Sequence, residues 1–88
     1  MQVGSVVTMT AKVDQLVERA MVLGSDVGDD TARVAELRRL ARGDGSALER
    51  AMQASLAMPA SLAARHRAIE LLARARYEDP SLHASYAS

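Results

Sequence analysis

Tyr77 and Tyr86 are the only aromatic side chains in this chain of 88 residues, which has no Phe and no Trp. Phe, Tyr and Trp each bury about 150–250 Å2 and usually dominate a small domain's interior. Here the interior must come from 17 alanines, 10 leucines, 8 valines and a single isoleucine, Ile69. Alanine adds little at roughly 25 cal/mol per Å2 of apolar surface removed from water. Its compensation is the highest helix propensity of any residue and the close helix approach that a short side chain allows. The chain is therefore expected to form thin, closely packed helices.

Length sharpens this expectation. A domain typically needs about 100–150 residues, so the chain holds one domain. Domains this short bury only about 60–65% of their unfolded surface and usually lean on disulfides, metals or oligomerisation. There is no cysteine, so disulfides and thiolate metal sites are excluded, and only two histidines, His66 and His83, are present. Self-association is the remaining device, and a homodimer or other homo-oligomer is predicted. No cofactor and no metal is expected. No run of about 18 apolar residues exists to span a membrane. The start, MQVGSVVTMT, carries no basic segment and no long apolar run, so a cytoplasmic location without membrane partners is expected.

Apolar spacing places the elements. Residues 1–8 read as a flexible arm or short extended segment, 9–78 as one helical domain and 79–88 as a flexible tail. In the first helix Val13, Leu16, Val17, Ala20 and Met21 recur at helical spacing, with Thr8 or Thr10 as cap and Gly24 as the left-handed stop. Gly24 to Asp30 is a loop by composition. Its acids suggest calcium, but the ligand alternation and closing glutamate of an EF-hand are missing. Asp29 and Asp30 are read as a helix cap and a dipole partner. A second helix, 30–42, turns Val34, Leu37, Leu40 and Ala41 inward and Arg33, Arg38 and Arg39 outward. Ser46 to Glu49 reads as a capping box. It opens a third helix with Leu48, Ala51, Met52, Ser55 and Leu56 on one face. Pro59 ends or kinks that helix. A fourth helix, from Pro59 or Ser61 to about Tyr77, carries Leu62, Ile69, Leu72 and Ala73. The fold class is all-α: a small bundle of three to four amphipathic helices arranged as hairpins and completed by dimerisation.

Charge is distributed unevenly. Net charge is zero, yet residues 1–30 carry two basic residues against five acids, a net of 2 − 5 = −3, and residues 31–88 carry nine arginines against six acids, +3. Such a dipolar chain can pair with itself or with another protein. No catalytic motif accompanies these helices: HExxH, GxSxG and a glycine-rich phosphate loop are all missing. His66 and Glu70, four residues apart, read as a surface pair. The chain is expected to be non-enzymatic.

The leading expectation is a protein–protein interaction module, working as an adaptor, small regulator or assembly subunit. Contacts are expected through Val13, Leu16, Val17, Met21, Leu48, Met52, Leu56, Ile69 and Leu72. The alternative is a DNA-binding regulator of helix-turn-helix type. It would present Arg38, Arg39, Arg65, Arg67 and Arg74 to nucleic acid phosphates.

Overall fold

The computed structural model describes the backbone of residues 3–25 and 28–78 and the side chains of 11–25 and 28–78, so the tail read over 79–88 lies outside it. Among the described residues four helices form the expected all-α bundle: α1 (Val3–Ser25), α2 (Asp30–Ala41), α3 (Gly45–Leu56) and α4 (Leu62–Tyr77). They run up-down-up-down. Lys12 near the start of α1 reaches the last carbonyl of α2, at Ala41, and Arg19 further along α1 meets Glu36. Arg65 at the start of α4 reaches Leu56 at the end of α3, and Tyr77 at its end reaches Glu49. Each pair is thus an antiparallel hairpin. Helices α1 and α4 touch all the others, whereas α2 and α3 barely meet. The α1–α2 and α3–α4 pairs therefore form opposite sides of the bundle.

The interior is as lean as the composition demands. Leu16, Leu37, Leu71, Leu72 and Val34 are its largest fully buried apolar side chains. Between them lie Ala20, Ala41, Ala47, Ala51, Ala68 and Ala75. Ser55, also fully buried, donates its hydroxyl to the Ala51 carbonyl at 2.8 Å, one turn back, so it leaves no unmet polar group. Gly24 belongs to this packing. It lies inside α1, where an added Cβ would sit 3.0 Å from Cγ of Arg67 and 3.4 Å from the backbone nitrogen of Ala68. Its role is the close approach of α1 to α4, not the left-handed stop read from sequence.

Element ends differ from the sequence reading in instructive ways. Helix α1 begins at Val3, so the backbone over residues 3–8 is helical and Thr8 and Thr10 lie inside the element. Asp29 caps α2 by accepting the Thr31 N–H at 3.0 Å. The left-handed position after α2 is held by Arg42 (φ 53°), followed by Gly43 (φ 78°). The cap of α3 is Asp44, which accepts the Ala47 N–H at 3.2 Å. Ser46 is therefore already helical, and the expected capping box does not form. Aspartate two residues earlier wins because it also pairs with Lys12, 3.8 Å away. Ser61 caps α4 through the Ala64 N–H at 3.1 Å. Pro59 lies in the turn between α3 and α4, which are two separate helices.

Candidate functional site

Most of the apolar residues expected to meet a partner line the protein's own interior. Leu16, Val17, Leu48 and Leu72 are buried, and Val13, Met21 and Met52 are half-buried against that core. Ile69 is half-buried. Only Leu56 stands out, at 56% exposure. It is joined on the α3–α4 side by Leu62 (59%) and Tyr77 (66%). Residues 51–64, which span the end of α3, the turn and the start of α4, contain no charged residue. The hairpin thus exposes Leu56 and Leu62 on either side of its turn, with the Arg65 guanidinium against the Leu56 carbonyl.

The arginines proposed for nucleic acid are mostly turned to internal work. Arg38 bridges from α2 to the end of α4, donating to the carbonyls of Arg74, Ala75 and Glu78. Arg65 donates Nη1 to the Leu56 carbonyl at 2.9 Å, and its Nε is buried without an acceptor. Arg67 and Arg74 both pair with Asp30. Arg39 alone of the five is exposed and makes no hydrogen bond or ion pair among the described residues, although its field helps hold the Glu36 carboxyl low.

Asp30 is the centre of the largest ionic cluster among the described residues. Its carboxylate receives Arg33 at 3.3 Å from its own helix, and Arg67 and Arg74 (3.5 Å) from α4. Glu70 and Glu78 balance the outer sides of Arg67 and Arg74 at 3.3 and 2.9 Å. Arg33 is buried here rather than outside as its register suggested. The sequence signal that could have found it was weak: an acid one turn before an arginine, identical to any surface pair. The Arg67 hydrogen bond holds the Asp30 carboxyl below its ordinary value of 3.8, against the opposing effect of burial. Glu36 is held below 4.5 in the same way, by its hydrogen bond to Arg19. A carboxyl whose folded pKa is depressed stabilises the fold above its unfolded pKa, and that contribution vanishes as pH falls through the folded value. The melting temperature is therefore expected to stay level from pH 7 to about 5 and to fall below about pH 4. Asp30→Asn should lower the plateau and make the acid limb shallower. An Asp30→Asn melting curve parallel to the wild type through the acid limb would remove Asp30 from this account.

Two connected grooves lie between α1 and α2. One, of about 420 Å3, runs past Lys12, Gln15, Leu40 and the two arginines Arg39 and Arg42. The other, of about 350 Å3, continues from Gln15 and Leu40 to Glu18 and Val22. Both are open and shallow. His66 is exposed, and Glu70 pairs with Arg67 instead of with it. Among the described residues no group of three or more His, Cys, Asp or Glu is placed to hold a metal ion, and no helix is long and apolar enough to cross a membrane. The chain matches no family model, no curated protein and no solved structure.

Proposed function

We propose that this chain is a non-enzymatic helical interaction module, an adaptor, regulator or assembly subunit of the cytoplasm that associates with itself and offers helix faces to protein partners. The observation that carries this reading is the α3–α4 turn. Leu56 and Leu62 stand more than half exposed within a stretch of 14 residues free of charge. In a chain whose charged residues make up a quarter of the sequence, such a stretch favours contact with another apolar surface. The α1–α2 grooves are shallow, and among the described residues no nucleophile–base pair is assembled on them, which supports a binding role over a chemical one. The DNA-binding alternative draws little from this surface, because Arg38, Arg65, Arg67 and Arg74 are bound to groups of the same chain.

Light scattering across a concentration series tests the reading. The weight-average mass is expected to rise above that of one chain through the micromolar range. A mass fixed at one chain throughout would overturn it.

A further inference from the structure

Several exposed charges make no ion pair among the described residues. Asp14 and Glu18 are exposed on α1 and make no ion pair or hydrogen bond among the described residues. The side chains of Arg39 on α2 and of Arg42 just after it are likewise exposed and make no hydrogen bond or ion pair among the described residues. The two sets lie on one side of the molecule, because α1 and α2 are antiparallel neighbours locked by the Arg19–Glu36 and Lys12–Ala41 contacts. They also lie at nearly the same height: α1 at Lys12 is level with α2 at Ala41, and α1 at Arg19 with α2 at Glu36. Helical register completes the arrangement. Asp14 and Glu18 lie on the flank of α1 nearer α3, beside Ala54 and Met58, whereas Arg39 and Arg42 rim the α1–α2 groove with Ala11, Gln15 and Leu40; Lys12 and the Arg19–Glu36 pair line the same groove. Leu40 is half-buried and Val22 is 52% exposed.

An acidic flank on α1 and a basic rim on α2, with the already paired Lys12, Arg19 and Glu36 between them, are complementary to themselves under a two-fold rotation. An axis parallel to the two helices, lying in this face between α1 and α2 near Gln15 and Leu40, carries α1 of one copy over α2 of the other. Each acid pair then meets an arginine pair, and the exchange happens twice because a two-fold contact is reciprocal. Arg42 adds an independent reason to expect a role for its side chain. It holds a left-handed backbone conformation that a glycine would adopt with less strain, by about 1 kcal/mol.

From this complementarity we infer that the α1–α2 side binds a second copy of the chain, with Asp14 and Glu18 of each copy on Arg39 and Arg42 of the other. The inference rests on the self-association proposed above and assigns it a surface. The α3–α4 turn lies on the opposite side of the bundle, so it stays open on both copies for another protein.

Charge reversal tests the assignment. The variants Asp14→Arg/Glu18→Arg and Arg39→Glu/Arg42→Glu change only exposed residues, and circular dichroism verifies that each is folded. Sedimentation velocity is expected to show wild-type association, loss of association in each variant alone, and its return when the two variants are mixed in equal amounts. Raising the ionic strength to about 1 M, where the Debye length is about 3 Å, should weaken the wild-type complex. If both variants associate like the wild type, or if their mixture stays monomeric, the assigned surface is wrong while self-association stands. If the wild type itself is monomeric at every concentration, self-association fails and the surface with it.

Discussion

Leu72→Ala is expected to lower the free energy of unfolding by about 3 kcal/mol and the melting temperature by about 12–24 °C. Leu72 is fully buried on α4, the helix that together with α1 touches every other element. Removing its isobutyl group leaves a void that the surroundings cannot fill. Its helical neighbours Ala68 and Ala75 have no side chain to extend, and no aromatic ring lies in the described core to swing inward. Poor relaxation places a Leu→Ala change toward the costly part of its range. For 88 residues a total stability of roughly 4–13 kcal/mol is usual, so this single change removes a large share. Leu62→Ala on the same helix serves as the control. Leu62 is mostly exposed, and its truncation should cost less than about 0.5 kcal/mol. Urea denaturation of both variants makes the comparison. Equal midpoints would mean that the interior is not packed around Leu72.

Arg38→Ala is expected to cost about 2 kcal/mol and to release the last turn of α4. The C-terminus of this helix has no left-handed cap; Glu78 is extended and returns only its N–H, to the Arg74 carbonyl at 2.9 Å. The guanidinium of Arg38 supplies the rest, donating Nε to the Ala75 carbonyl at 3.2 Å and Nη2 to those of Arg74 and Glu78. A cation at the carbonyl end also suits the helix dipole. Arg38→Lys should recover only part of the loss, since an ammonium cannot reproduce the fork of donors. Amide hydrogen exchange at Tyr77 and Glu78 would report the release directly. Unchanged protection in Arg38→Ala would show that α4 ends on its own.

Comparison of these two residues shows what was legible in advance. Leu72 falls at helical spacing within the stripe read from the sequence, and burial there follows from amphipathic periodicity alone. Arg38 occupies a register position that looks solvent-facing. Its function depends on a carbonyl 37 residues away in sequence, and periodicity carries no information about such contacts. The same limit explains Arg33, read as outward but drawn inward by Asp30 and by helix α4. Leu56 and Leu62 fail in the opposite sense. Both sit on apolar stripes, yet they flank the turn that joins α3 to α4 and stay more than half exposed there.

The sequence by itself determined the all-helical class, the approximate positions of the helices and an interior built from alanine, leucine and valine. Those properties follow from side-chain volume, propensity and a 3.6-residue period, which are local. Tertiary structure alone decided which charges neutralise one another. It placed Asp30 among three arginines and Asp44 beside Lys12, and it left Asp14, Glu18, Arg39 and Arg42 without an ion pair among the described residues. Ion pairing depends on distances of a few ångströms between side chains far apart in the chain, and only the packed arrangement of the helices sets those distances.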